Sequence, residues 1–344
     1  RHWSVTGVQT CALPICQRRA HNFYPVYLWK NTEPQLLENP FFSPHQRIAE
    51  PLATEEDYYQ RYGGKGYAPE KMAEECVRFI QESRQPFYLY YAPTLPHVAL
   101  QAPKEWVDRF PREWDAKPYL GQSGYLPNPR PRATYAAMVA YLDHTVGLIL
   151  DELRATGKDR NTLVIFTSDN GAVRGAGGAD PDFFRSNGDL REGKMSLWEG
   201  GIRVPYLAWQ PGRIPAGKTS GRIITAYDAP ATFAEAAGVR MPKADGVSYL
   251  PTLTGKAQTP RSFAYFEYPE STAMQAVMWG PYKAIRPDLK SNPDRLHVYD
   301  LESDPSERND LAPARPDLVR QALRLFQREH RPNRDFPLGR IDPT

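Results

Sequence analysis

The stretch Asn161-Thr162-Leu163-Val164-Ile165-Phe166-Thr167-Ser168-Asp169-Asn170-Gly171 limits what this chain can fold into more than any other part of it. Residues 163–166 are apolar at every position, as a strand must be when helices cover both faces of a parallel sheet. The run then stops abruptly at a carboxylate, an amide and a glycine. In an open α/β sheet such a stop falls at the carboxyl end of the strand, where these sheets collect their ligands. Asp169 and Asn170 offer hard side-chain oxygens, which suit Ca²⁺ or Mg²⁺ better than a thiophilic metal. Gly171 permits a left-handed turn that swings both side chains to one side. An Asp-Asn-Gly loop with a capping role is the plainer alternative.

The order of the surrounding elements points to a three-layer α/β body. Residues 69–84 read as a helix that starts near Pro69 and carries Met72, Cys76, Phe79 and Ile80 on one stripe. Residues 87–92 follow as a strand, and 93–103 as a proline-rich loop bearing His97. Residues 111–132, with several prolines and glycines, read as an irregular surface excursion. From 132 to 156, Met138, Leu142, Val146, Ile149 and Leu153 are spaced as the buried face of a helix that Gly157 ends. Helix, strand, helix, strand in that order implies parallel pairing through right-handed crossovers. Residues 204–209 read as another strand and 229–237 as a helix that Gly238 terminates, with Asp228 assigned to capping it and not to a metal. Past Gly255 the pattern changes to short strands at 262–268, 273–279, 282–285 and 296–300, then a helix at 316–328. That suggests a smaller α+β subdomain.

A chain of 344 residues can bury a substantial core in one large domain and one small one. Its formal net charge of +3 creates no polyanion-binding surface, so no nucleic-acid partner is expected and local residues must attract any anionic substrate. No apolar run approaches the roughly 20 residues that a membrane crossing takes. The three cysteines, Cys11, Cys16 and Cys76, offer no disulfide framework.

Three further segments add to the Asp169 motif. They are Pro86-Phe87-Tyr88-Leu89-Tyr90-Tyr91-Ala92-Pro93-Thr94-Leu95-Pro96-His97, Leu190-Arg191-Glu192-Gly193-Lys194-Met195-Ser196-Leu197-Trp198-Glu199-Gly200-Gly201-Ile202-Arg203-Val204-Pro205, and Leu301-Glu302-Ser303-Asp304-Pro305-Ser306-Glu307-Arg308-Asn309-Asp310-Leu311. Together the four resemble the type I sulfatases, the formylglycine-dependent sulfuric-ester hydrolases of the alkaline-phosphatase-like superfamily. The resemblance implies a three-layer sandwich with a mostly parallel sheet and the hydrolysis of aryl or sugar sulfates. It also implies Ca²⁺, with Mg²⁺ as the alternative, bound by Asp169 and Asn170 together with carboxylates of a segment that this chain lacks.

Lys194 matches the lysine that contacts the sulfate, and His97 the histidine near the leaving-group oxygen, so both are catalytic and substrate-binding candidates. An ammonium donates to oxygens that gain charge in the transition state. Imidazole, with an unperturbed pKa of about 6.5, gives a proton near neutrality. An isolated lysine is by default a solvated surface residue, and a lone histidine in a proline-rich loop a polar one. Glu199 and Arg203 are assigned to supporting the Lys194 loop. His21, His45, His144 and His297 are left without a role.

The family's nucleophile lies in a Cys-x-Pro-x-Arg motif, or a Ser version, whose first residue is oxidised to formylglycine. Cys11-Ala12-Leu13-Pro14-Ile15 has its proline one place late and no arginine, and Cys16-Gln17-Arg18-Arg19 has no proline. The family's early Asp-Asp pair and Gly-Lys-Trp-His segment are absent as well. Residues 5–15 resemble a translated sequencing adapter, so 1–15 are set aside as foreign. The chain is therefore expected to be the carboxyl-terminal part of a sulfatase, inactive by itself, with a truncated catalytic domain at 16–258 and an antiparallel-sheet subdomain at 259–344. Formylglycine is expected in the missing amino-terminal part. A non-catalytic binder of sulfated glycans and a phosphonate or phosphodiester hydrolase of the same superfamily are the alternatives. The expected partner is a sulfated small molecule or glycan, and the resemblance implies export to the periplasm or beyond.

Overall fold

In the computed structural model the described residues are 20–46, 54–84, 86–122, 124–241 and 245–342. The segment set aside as foreign, residues 1–15, and Cys16 lie outside them. The chain divides into two compact units, one taking in the residues up to Asp159 and Val173–Phe184, the other Arg160–Ala172 and the residues from Arg185 onward.

The first unit is mainly helical. A hairpin of β1 (Tyr27–Lys30) and β2 (Glu33–Leu36) turns at Asn31, whose φ of 57° suits a short polar side chain. Helix α1 (Glu55–Tyr62) starts in a reciprocal cap, where the Thr54 hydroxyl accepts from the Asp57 amide and the Asp57 carboxylate accepts from the Thr54 amide. Helix α2 (Ala68–Glu82) buries Met72, Cys76 and Ile80, the stripe expected from their spacing. Its partner α3 (Pro131–Ala155) buries Ala137, Met138, Tyr141, Thr145 and Leu153; of the expected stripe, Met138 and Leu153 are buried, while Leu142, Val146 and Ile149 are half-buried, with Leu142 packed against the same core. Tyr67 packs edge-on and Trp106 tilted against Tyr141 on this face. Gly157, at φ 67°, ends α3 in a double hydrogen bond from the 157 and 158 amides to the carbonyls of Arg154 and Leu153. Contrary to the reading of the bare sequence, α3 is long and apolar enough to cross a membrane by length and composition. Its Met138 and Tyr141 belong to the core of this unit, as in a core helix.

The strand expected at 87–92 carries no ladder among the described residues. A strand is completed by a neighbour that takes its N–H and C=O groups, and none of the described segments does so. In the second unit β3 (Val164–Thr167) pairs with β4 (Tyr206–Trp209), Val164 opposite Trp209 and Thr167 opposite Tyr206. The pair is antiparallel, and the parallel pairing that the element order implied between 87–92 and 163–166 does not form among the described residues. The connection from β3 to β4 is a long excursion with two helical turns, Pro181–Phe184 and α4 (Glu199–Ile202), and the chain doubles back beside β3 instead of crossing over it.

Helix α5 (Ala229–Ala236) ends at Gly238 as expected. Asp228 does not cap it through its side chain. It closes a reciprocal cap one turn earlier, accepting from the Thr225 amide at 2.8 Å, and also accepts from the Val247 amide and pairs with Arg261 at 2.7 Å. The strands past Gly255 fall where their patterning put them: β5 (Ala264–Tyr268), β6 (Met274–Trp279), β7 (Tyr282–Arg286) and β8 (His297–Asp300) form an antiparallel meander. Every residue of β6 is buried, because both faces of this sheet are covered. One face packs on α6 (Pro316–Glu329) through Leu318, Ala322 and Phe326. The other packs on Leu197 and Trp198, the residues that follow Lys194.

Candidate active site

The Asp169 motif and the Lys194 motif are stitched together by backbone. The Gly171 amide donates to the Gly201 carbonyl at 2.9 Å, and the Lys194 amide donates to the Ala172 carbonyl at 2.9 Å. The Asn187 side chain completes the seam, accepting from the Ala172 amide and donating to the Glu192 carbonyl, both at 2.9 Å. Glycine is required where the strands of this seam touch: a Cβ on Gly171 would fall inside the Gly200 carbonyl oxygen, and one on Gly200 inside the Glu192 carbonyl oxygen. Asp169 is exposed, while Asn170 and Lys194 are half-buried. Glu192 (φ 62°) and Met195 (φ 71°) hold the left-handed region on either side of Lys194. Such backbone costs roughly 1–3 kcal/mol per residue and persists only where the surroundings enforce it.

The enforcement comes from a buried ion cluster that sequence reasoning missed. Lys283 on β7 is fully buried between Glu199 at 2.9 Å and Glu307 at 2.8 Å. Glu307 also accepts from the Glu199 amide at 2.7 Å, and burial pushes its carboxyl above the usual range despite Lys283. Arg203 pairs with the other oxygen of Glu199 at 3.0 Å, the support expected for this loop. Arg191 lies 3.6 Å over the Trp198 ring and donates to the Glu307 carbonyl at 3.2 Å. The segment around Glu307 is itself set by Asp304, which accepts from the amides of Arg308 and Asn309. Glu307 stood in a quoted motif, but nothing in a linear pattern connects it to a lysine on a distant strand.

His97 belongs to the first unit, and Asp169, Asn170 and Lys194 to the second. The structure brings His97 together with two histidines that had no assigned role. The His21 ring stacks on His97 with centroids 3.9 Å apart and planes within 17°, and His21 Nδ1 lies 2.8 Å from His45 Nε2. Tyr125 packs against His45 at 4.8 Å. His97 Nδ1 meets the Val98 carbonyl, which fixes the ring's rotation. The other two stand elsewhere: His144 packs against Trp106, and His297 pairs with Asp310 at 2.7 Å.

Over residues 18–239 the chain matches the sulfatase family model, and over 193–325 that of the N-sulphoglucosamine sulphohydrolase C-terminal region. The chain belongs to the sulfatase family. N-acetylgalactosamine-6-sulfatase of Canis lupus familiaris is 32% identical over 238 residues, which are 66% of this chain and 41% of that protein. N-acetylgalactosamine-6-O-sulfatase of Bacteroides thetaiotaomicron is 29% identical over 273 residues, 72% of this chain and 48% of that one. The sulfatase-family chain thus spans less than half the length of these relatives. Among solved structures, Ps i-CgsB matches with a TM-score of 0.64 at 27% identity, covering 77% of this chain and 55% of that one. The same protein in complex with k-i-k-neocarrahexaose gives 0.62 at 27%. The fold is the alkaline-phosphatase-like α/β fold of the sulfatases.

Membership carries the family's general requirement for a metal ion and a formylglycine. Asp169 and Asn170 suit a hard dication by the chemistry of their oxygens, but they make up a minority of the roughly six to eight that Ca²⁺ takes. Among the described residues no group of three or more His, Cys, Asp or Glu side chains is placed to hold a metal.

Proposed function

We propose that the whole protein to which this chain belongs hydrolyses sulfate esters, with a sugar sulfate as substrate. The observation that supports this reading most is the seam between the two motifs. It ties the carboxylate end of β3 to the Lys194 loop through the Lys194 amide and the Ala172 carbonyl. A sulfate held at one would meet a cation from the other.

In this reading the Lys194 ammonium donates to the sulfate oxygens, more strongly as they gain charge. His97 delivers a proton to the departing alcohol oxygen, with its ring kept from turning by Val98 on one nitrogen and by His21 stacked on its face. Asp169 and Asn170 would hold Ca²⁺ or Mg²⁺, which when bound supplies Lewis acidity at the sulfate. No Cys-x-Pro-x-Arg pentapeptide occurs in this chain, and its Ser-x-Pro-x-Arg match, Ser291-Asn292-Pro293-Asp294-Arg295, lies in the connection between β7 and β8 of the C-terminal sheet, so none of its residues is assigned as nucleophile. The relatives named for N-acetylgalactosamine 6-sulfate favour an amino-sugar sulfate. We further assign residues 259–344 to a carboxyl-terminal subdomain that braces the Lys194 loop, and the whole protein to an exported compartment, as is usual for the family.

The test is release of inorganic sulfate, followed by ion chromatography, from N-acetylgalactosamine 6-sulfate by the full reading frame that contains this chain. Release that is lost in Lys194→Ala supports the reading. Release of phosphonate or phosphate from the corresponding esters, with sulfate esters untouched, replaces it with the phosphoryl alternative.

A further inference from the structure

We propose that a cleft in the first unit binds the sugar chain of a sulfated oligosaccharide, next to the sugar whose alcohol His97 serves. The role assigned to His97 rests on the sulfatase reading above; the cleft itself does not. Its volume is about 570 Å³, inside the usual range for small-ligand sites of roughly 300–1,000 Å³. Trp114, Lys117, Tyr119, Gln122, Arg132 and Asp180 supply its chemistry. All but Asp180 lie in the excursion at 111–132 that reads as irregular in the sequence.

The cleft is built, not left over. The Asp115 carboxylate accepts from the Arg132 amide at 2.7 Å and the Ala133 amide at 3.1 Å, tying the excursion to the first turn of α3. Tyr119 and Asn128 exchange backbone hydrogen bonds of 2.9 and 2.8 Å across its neck. The Trp114 ring is set by Phe183 and Phe184, edge to face at 5.5 and 6.0 Å. Arg132 is locked by Asp180 at 2.7 Å, the Trp114 carbonyl at 2.9 Å and the Phe183 ring beneath it at 4.2 Å. A site held this firmly before a ligand arrives gives up little conformational entropy on binding.

The lining selects its ligand by charge and shape. Both carboxylates are already engaged, Asp115 by backbone amides and Asp180 by Arg132 and the Phe183 amide. Lys117 is exposed and makes no ion pair among the described residues. One uncompensated cation beside Trp114, Tyr119 and Gln122 suits a largely neutral polyhydroxyl ligand bearing a single anionic group. A nucleoside triphosphate would bring several charges with one uncompensated cation to meet them. A pyranose offers an apolar C–H face to the tryptophan and hydroxyls to the glutamine, and its sulfate ester is the anion.

The cleft wall also touches the His97 loop. Gly178 packs on Tyr119, where a Cβ would stand 2.9 Å from the Tyr119 Cβ. Its neighbour Gly177 packs in the same way on Val98, at 2.8 Å, the residue after His97. Only glycine at both positions, each at positive φ, lets the wall lie against that loop.

The experiment is calorimetry on this chain, its fold checked by circular dichroism, with size-defined tetrasaccharides of chondroitin 6-sulfate, κ-carrageenan and heparin, and with desulfated chondroitin. At least one sulfated tetrasaccharide is expected to bind saturably, and Trp114→Ala to weaken it about tenfold. Lys117→Met, at an exposed position, should weaken the sulfated probe and leave the desulfated one unchanged. Lys194→Ala, which removes a sulfate contact outside the cleft, should weaken binding less than Trp114→Ala does. No saturable binding of any probe below about 1 mM overturns the proposal. So does binding that Trp114→Ala and Lys117→Met leave intact while Lys194→Ala abolishes it, an outcome that keeps the sulfatase reading and removes the cleft. Cleft binding in a protein whose full reading frame releases no sulfate would instead keep the cleft and remove the sulfatase reading.

Discussion

At the scale of single residues, a cation aimed at sulfate and an imidazole aimed at a leaving oxygen should fail differently when removed. In the full-length enzyme Lys194→Ala is expected to lower kcat/KM for every sulfate ester by about 10²–10³, as loss of one electrostatic donor does. His97→Ala removes a proton source whose contribution is roughly 10²–10⁴ and grows with the basicity of the leaving alcohol. Its loss should be far larger on a sugar sulfate than on nitrophenyl sulfate, whose phenolate departs unaided. Equal losses on the two substrates, with chemistry limiting, would remove His97 from the acid role. Lys283 is a third case, since it touches no substrate in this reading. Lys283→Met leaves Glu307 buried without its cation and Glu199 with Arg203 alone, and breaking such a cluster costs about 3–5 kcal/mol. Urea denaturation of this chain measures that cost directly, and a loss below about 1 kcal/mol, as expected of a surface pair, would contradict the bracing role.

At the scale of elements, the last helix of the C-terminal sheet is held at its end by one titratable group. His330, just past α6, lies 2.7 Å from Glu267 on β5 and 2.7 Å from Asp342. Burial opposes its protonation, but the two carboxylates outweigh burial and raise its pKa above 6.5. A histidine whose folded pKa is raised stabilises the fold fully below its unfolded pKa, and that stability is lost as pH rises through the folded value. The wild-type chain should therefore exceed His330→Gln in stability at pH 5.5 by more than at pH 9. Thermal melts of both at the two pH values check it, and a gap that widens toward alkaline pH reverses the assignment. Periodicity made this sheet and helix legible because their strands are consecutive and their pairings local. It placed β3 but not the direction of its pairing, which depends on how the chain returns, since a four-residue apolar run looks the same in either orientation.

At the scale of the whole molecule, chemistry and ligand count set the expectations. With no Cys-x-Pro-x-Arg sequence, this chain alone should not turn over an arylsulfate. Sulfate release well above buffer that depends on added metal would show a nucleophile of another kind. Asp169 and Asn170 bring one formal charge between them, so calorimetry should find Ca²⁺ binding no tighter than the roughly 10⁻⁴–10⁻³ M of weak sites. Micromolar affinity that vanishes in Asp169→Ala would show that the two residues already belong to a complete shell.

By itself the sequence determined the elements and the chemical types at the candidate site. Apolar spacing placed α2 and the C-terminal strands, Gly157 and Gly238 marked where helices stop, and Asp169, Asn170, Lys194 and His97 stood in motifs whose residue types suit an anion and a hard metal. Each of these is a local property, written in a few adjacent residues. Tertiary structure decided what no window of the chain contains. Lys283 meets Glu199 and Glu307 from a separate strand, His21 stacks on His97 across more than a helix of intervening chain, and the 111–132 excursion closes a cleft only by leaning on α3 and Phe183. Those contacts join residues far apart in sequence, and burial enforces them: an unpaired charge or amide inside the fold costs more than the order needed to pair it.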